Sequence, residues 1–163
     1  TLVLLGDTSG WLGCSQWLKS ILNREEGAPP PIDLAIEKRN GTFIRDMIRM
    51  RRLTACHDLS DGGLLVAAAE MALAGKIGAS LTLPANLPAH AAAFGEDQAR
   101  YLVTTTCVDG LLEAARSAGV PALVVGQTGG DALTIAGGET ISLAEMRDCY
   151  EGWMPGFMSA PAA

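Results

Sequence analysis

The chain has 163 residues, 48% of them hydrophobic but only 5% aromatic, and a formal net charge of -6. That length fits one domain with an aliphatic core, burying roughly 70% of the surface its unfolded chain would expose. The charge disfavours a general nucleic-acid surface without excluding a nucleotide, and the longest apolar stretch, Leu64 to Ala74, includes Glu70 and falls short of the roughly 20 apolar residues of a membrane span.

Thr1 to Leu5 predicts a first strand, and residues 6–13 a glycine-containing loop that can face a ligand, before a helix near Ser15 to Leu22. With its charges and the run Pro29-Pro30-Pro31, the stretch Asn23 to Pro31 reads as a connector. Asp33 then caps a helix whose Ile36, Phe43, Ile44, Met47 and Ile48 recur at near-helical spacing. Arg45, Arg49, Arg51 and Arg52 read as its solvated side, although such a cluster can also meet a phosphate.

Leu53 to Cys56 supplies a short strand, and Leu64 to Ala74, rich in Ala, Leu and Met, a helix. Between them lies His57-Asp58-Leu59-Ser60-Asp61-Gly62-Gly63-Leu64. Free N–H groups at a helix start attract phosphate, and Gly62 and Gly63 would let a ligand approach the main chain with no Cβ in the way. Asp58 and Asp61 are hard oxygen donors of the kind magnesium takes when it also carries nucleotide phosphates. The alternative is structural: Ser60 or Asp61 caps the helix and the glycines ease the turn.

Further along, Ala79, Leu81 and Leu83 mark a strand ending at Pro84, Asn86 to Phe94 a loop or short helical turn, and Tyr101 to Thr106 another strand. Asp109 is expected to cap a helix from Gly110 to Ala118, which Gly119 ends. Strands near Leu123 to Gly126, Ala132 to Ile135 and Thr140 to Ile141 follow, with turns at Gly129-Gly130-Asp131 and Gly137-Gly138. A last helix opens on a capping box, Ser142 and Glu145, and the tail after Pro155 is expected to fray.

Glu96-Asp97 has two readings, a metal-nucleotide pocket or domain interface on one side and a Glu96–Arg100 ion pair on the other. His57 and His90 lack partners for a nucleophile triad; His57 reads as an orienting or buried residue. The four cysteines, Cys14, Cys56, Cys107 and Cys149, show no Cys-x-x-Cys pair, which predicts no zinc site or disulfide and four small buried residues in a reducing compartment. The chain opens on Thr1 and an apolar run with no initiator methionine, the expectation for a fragment.

Those motifs, in order, carry a resemblance. The octapeptide at His57 resembles the signature of the C-terminal domain of the aminoimidazole ribonucleotide synthetase superfamily, and the whole pattern resembles the phosphoribosylformylglycinamidine synthase family in its small bacterial form. Supporting stretches are Leu5-Gly6-Asp7-Thr8 with Leu12-Gly13-Cys14-Ser15, Ile32-Asp33-Leu34, Phe94 to Val103, and a closing helix with Leu143, Arg147, Tyr150 and Trp153. At Cys14 the family usually has glycine or alanine.

The resemblance implies an α+β fold, a mixed β-sheet covered by helices, with residues 1–155 a single C-terminal domain of a longer synthetase and 156–163 a frayed tail. It implies a cytoplasmic, ATP- and glutamine-dependent ligase that turns formylglycinamide ribonucleotide into its amidine in purine biosynthesis. Partners would be the upstream domains, a glutaminase subunit and a small assembly subunit, with no nucleic acid and no membrane. The cofactors would be ATP and Mg2+, with Asp58 as metal ligand and Ser60, Asp61, Gly62 and Gly63 as nucleotide-binding residues; no catalytic residue carries over, because the principal ATP-binding domains lie upstream. Aminoimidazole ribonucleotide synthetase or a hydrogenase-maturation protein would share the fold, but Leu59-Ser60-Asp61-Gly62-Gly63 and Tyr150-Glu151-Gly152-Trp153 argue against both. A purely structural interaction domain is the remaining alternative.

Overall fold

The first strand, β1 (Leu2–Leu5), is apolar at every position and buried at every position, Val3 and Leu5 completely. Successive strand side chains point to opposite faces, so such a run needs cover on both. Leu2 and Leu4 enter one core cluster, Val3 and Leu5 a second. The structure, a computed structural model, describes residues 1–159.

Six further strands surround β1: β2 (Ala55–Asp58), β3 (Ala79–Leu81), β4 (Tyr101–Thr104), β5 (Ala122–Thr128), β6 (Ala132–Ile135) and β7 (Thr140–Ser142). They form one sheet in the order β2-β4-β1-β5-β3-β6-β7. All neighbours run antiparallel except β3 and β6, so the sheet is mixed, as expected. The β1–β5 register shifts between Leu2 and Val3.

One face is covered by α2 (Leu34–Arg49) and α5 (Val108–Ser117), through Phe43, Ile44, Met47, Leu111 and Ala115. The other carries α3 (Gly63–Gly75) and α6 (Leu143–Ser159), through Leu64, Ala67, Ala68, Ala72 and Met146. Two short helices, α1 (Gln16–Leu22) and α4 (Ala89–Phe94), complete the chain. On α2 the apolar stripe turns inward as its spacing predicts, leaving Arg45, Arg49, Arg51 and Arg52 exposed, but Ile48 sits at the stripe's edge and is half exposed.

Several caps follow the sequence. Asp33 accepts from the N–H groups of Ala35 and Ile36, and Ser142 and Glu145 form the reciprocal box, with Glu145 N donating to Ser142 Oγ at 3.1 Å and Ser142 N to Glu145 Oε2 at 3.0 Å. Others differ. The cap of α5 is Cys107, and Asp109 lies inside the first turn, where a negative charge still suits the helix dipole. Helix α6 runs through Pro155 to Ser159, four residues into the segment expected to fray; residues 160–163 lie outside the described part. The ring removes one backbone donor, and the carbonyl left over belongs to Glu151, an exposed residue. No helix among the described residues is long and apolar enough to cross a membrane.

Candidate functional site at the β2–α3 turn

Strand β2 ends at Asp58, which pairs with Tyr101 of β4. The chain then turns inward at Leu59, whose N–H donates to Arg100 O at 3.0 Å, and closes on itself where Gly63 N donates to Ser60 O at 3.1 Å. Ser60 and Asp61 remain exposed, and Leu59, Gly62 and Gly63 are buried. The cap of α3 is Gly62, with no side-chain hydrogen bond, so neither Ser60 nor Asp61 caps the helix.

Both glycines occupy the left-handed region, with φ of +80° at Gly62 and +63° at Gly63. A Cβ on Gly62 would lie 2.3 Å from Val66 Cγ2, and one on Gly63 would lie 2.4 Å from Gly95 O. What approaches Gly63 without a Cβ in the way is the protein's own α4–β4 segment. The Cβ positions of both glycines are therefore filled by the protein's own atoms.

The Gly62 amide, at the N-cap position of α3, is also engaged from within. Gly62 N donates to Glu96 Oε1 at 2.8 Å, and the same oxygen accepts from Gln16 N, at the start of α1, at 2.8 Å. Next door, Asp97 accepts from Gly10 N at 2.9 Å and Trp11 N at 3.3 Å, while Glu96 N donates to Trp11 O at 2.8 Å. The glycine loop 6–13 is thus bound to the Phe94–Val103 motif and turned away from solvent at these amides. Arg100 lies beneath, 1% exposed, with Nε donating to Asp97 O at 3.1 Å, Nη1 to Thr8 Oγ1 at 3.4 Å, and Nη2 to Gly95 O. Its ion pair is with Asp97, 3.8 Å away, and not with Glu96. Burial lowers the guanidinium pKa, against the opposing pull of Asp97 and Glu96.

The outward surface of the turn is acidic. Asp58, with a carboxylate 71% exposed, lines a cavity of about 200 Å³ with Glu37, Ser60, Gln98, Arg100 and Tyr101. A second cavity of about 340 Å³, lined by Asp7, Ser9, Trp11, Asp33 and Glu37, shares Glu37, Gln98 and Ala99 with the first. The Tyr101 phenol is pushed up, first by burial and then by the negative charges of Glu37, Cys56 and Asp58. Glu37, Gln98 and Tyr101 were not read as site residues because they come from α2, the α4–β4 loop and β4, far from the signature in the chain. Asn40, fully buried, fixes that part of α2 by donating Nδ2 to Ala99 O at 2.9 Å.

Magnesium fits this surface only in one form. Among the described residues no three acidic, histidine or cysteine side chains converge on a cation position, so an all-protein cage is absent. Exposed carboxylates at Asp58 and Asp61 instead suit a magnesium ion that keeps most of its coordination for water and phosphate oxygens.

Other expectations resolve locally. His57 Nδ1 lies 2.6 Å from Asp58 O and Nε2 lies 3.2 Å from Glu70 Oε2, so the ring ties the edge strand to α3, an orienting role. His90 is on α4 and stacks on Trp17 with ring centroids 5.0 Å apart. All four cysteines are free but exposed, correcting the expectation of burial: Cys56 lies on edge strand β2, Cys107 caps α5, Cys149 is on α6, and Cys14 takes a φ of +58°, bonded through Sγ to Gly27 O.

A mixed, helix-covered sheet with this glycine-closed turn at the end of its edge strand defines a class: the family model described as AIR synthase related protein, C-terminal domain, matches residues 1–137, and the chain belongs to that family. Beyond the family, the chain is 54% identical to the phosphoribosylformylglycinamidine synthase subunit PurL of Methylocella silvestris over 161 residues, covering 98% of the chain and 22% of that protein. The chain therefore spans about a fifth of the length of the curated relatives it matches. The fold is similar to Thermotoga maritima PurL complexed with FGAR, at 19% identity and a TM-score of 0.74 over 89% of this chain and 27% of that one. It is also similar to the same protein complexed with ATP, at 18% identity and a TM-score of 0.68 over 89% of this chain and 25% of that one. T. maritima PurLQS matches as well, at 19% identity and a TM-score of 0.65 over 87% and 25%.

Proposed function

We propose that this chain is the C-terminal domain of a phosphoribosylformylglycinamidine synthase, the ligase that takes formylglycinamide ribonucleotide, ATP, glutamine and water to formylglycinamidine ribonucleotide, ADP, phosphate and glutamate. The observation that carries the reading is the 54% identity to PurL across 98% of the chain. In support, the T. maritima relative has been seen with FGAR, with ATP and within PurLQS. In the proposed setting the partners are the remainder of the synthetase, a glutaminase subunit and a small assembly subunit, working in the cytoplasm.

Within that enzyme the domain completes a nucleotide cleft with the outer surface of its β2–α3 turn. Asp58 is the proposed magnesium contact, and Ser60 and Asp61 flank it. Magnesium at this position would neutralise nucleotide phosphates that the acidic mouth otherwise repels. Gly62 and Gly63 serve the site by allowing the turn, which sets the direction of those three side chains. The ATP-cleaving and amide-activating groups belong to the rest of the synthetase, so the isolated chain neither hydrolyses ATP nor forms the amidine.

The test is Asp58→Asn in the full-length synthetase, which keeps shape and removes charge. Copurified nucleotide should fall, and the gain in Tm on adding magnesium-ADP should shrink, because a ligand that favours the folded state stabilises it by mass action. Turnover should suffer less. Unchanged nucleotide content and Tm would reduce Asp58 to a turn residue, and abolished turnover with nucleotide retained would place it at the reacting centre instead.

A further inference from the structure

A helix start with free N–H groups is an anion site, and at α3 the anion is already present. Glu96 Oε1 sits 2.8 Å from Gly62 N and 2.8 Å from Gln16 N, so a single carboxylate oxygen closes the openings of two helices that are 47 residues apart in sequence by their first positions, 16 and 63. Its backbone is held too, by donation to Trp11 O, and Asp97 beside it takes Gly10 N and Trp11 N. Four amides from three separate segments therefore converge on two adjacent side chains. Charge-assisted bonds of this kind are shorter and stronger than neutral ones.

We propose that Glu96 is a built-in anion: it holds the α1 and α3 openings together and excludes phosphate from the Gly62 amide at the N-cap of α3. The turn then meets a nucleotide through its outward side chains and a cation, and not through the Gly62 amide. This specificity role deepens the synthetase reading above and rests on it for the nucleotide; the clamp itself does not. Glu96 acts as a positioning residue, since it touches the main chain of the turn.

The geometry also shows why Glu96 is suited to the place. The residue before it, Gly95, is buried, and a Cβ there would meet Ala91 O at 2.6 Å and Gly10 Cα at 2.7 Å. This contact brings loop 6–13, α4 and the turn so close that a carboxylate on the next residue reaches both helix starts. Arg100, one turn of chain later, satisfies Gly95 O and Asp97 O from below, so the segment carrying Glu96 is fixed from both sides.

Replacing Glu96 tests the clamp by anion rescue. Glu96→Ala should lower the Tm of the chain, and sodium acetate should restore it in a saturable way that sodium chloride at equal ionic strength does not; wild type should gain nothing specific from acetate. In parallel, amide resonances of Gly62 and Gln16 should move together on adding acetate or inorganic phosphate to Glu96→Ala, and stay still in wild type. If Glu96→Ala does not fold, Glu96→Gln, which keeps a neutral acceptor, should shift both amides at once. A phosphate-dependent shift of Gly62 in wild type would overturn the exclusion, and equal effects of acetate and chloride, or movement of one amide without the other, would overturn the clamp. Asp58→Asn leaves every one of these readouts unchanged, so failure of the magnesium assignment and failure of the clamp are separable.

Discussion

The sharpest consequence of the turn's geometry concerns Gly63→Ala. Gly63 has a φ of +63°, and a new Cβ would lie 2.4 Å from Gly95 O, 2.9 Å from Phe94 C and 3.1 Å from Phe94 Cα, all backbone atoms that no rotamer change can move. Two costs add. The left-handed conformation costs an L-residue roughly 1–2 kcal/mol, and forcing extra volume into a packed site costs typically about 1–3 kcal/mol. Their sum, about 2–5 kcal/mol, translates for a domain of this size to roughly 5–15 °C in Tm. Gly119→Ala separates the two, because Gly119 has a similar φ of +67° but nothing within 4 Å of its Cβ position. That variant should show the conformational cost alone, roughly 2–4 °C per kcal/mol. Reversible thermal or urea unfolding of both variants beside wild type supplies the measurement. If Gly63→Ala proves no worse than Gly119→Ala, the α3–α4 approach is soft and the packing account of the diglycine is wrong.

Two further outcomes follow from the electrostatics. All four thiols should react with a disulfide reagent in the native chain, with Cys56 the slowest: the residue is exposed, but partial burial of its sulfur and then the Asp58 carboxylate push its thiol up; Asp58→Asn should speed that one site, and a native count below four would contradict the exposure. Glu145 titrates below the ordinary carboxylate range because Ser142 bonds its charged form, so its contribution is present above the unfolded pKa and is lost as pH falls through the lower folded value. Carboxyl-carbon titration should show this depression, and Ser142→Ala should reduce it by removing the hydroxyl while leaving the backbone N–H of residue 142 in place; an undiminished depression would refute the capping-box hydroxyl as its main cause.

How much of this was legible beforehand depends on whether the signal was local. β1, α2 with its Asp33 cap and the Ser142–Glu145 box all follow from period, caps and turn residues within a few positions of each other, whereas the mixed sheet comes from the family resemblance. The turn at Asp58 was found as a place, but its logic was not. Gly62 and Gly63 read as room for a phosphate at a helix start; the Gly62 amide is taken by Glu96, 34 residues away, and spacing along the sequence carries no sign of that contact. The cysteines mislead for a related reason. Free cysteine is usually a buried residue type, yet exposure here is set by which strand is at the sheet edge and where each helix begins.

The two-sided burial of β1 raises a question of folding fidelity. A one-residue slip of a strand normally throws its apolar set into water, but here Leu2 and Leu4 would trade places with Val3 and Leu5, and both faces would stay greasy. Hydrophobicity therefore discriminates poorly between the correct pairing with β4 and its slipped neighbours. Gly6 supplies the missing discrimination. It follows the strand at a φ of +96°, donates to Pro121 O at 2.9 Å, and has no space for a Cβ, which would lie 2.5 Å from Ala99 O. Slipping either way brings Leu5 or Asp7 into that spot, where a side chain collides with main chain. A single glycine at the end of this interior strand thus acts as its proofreader, rejecting pairings that the core itself would accept.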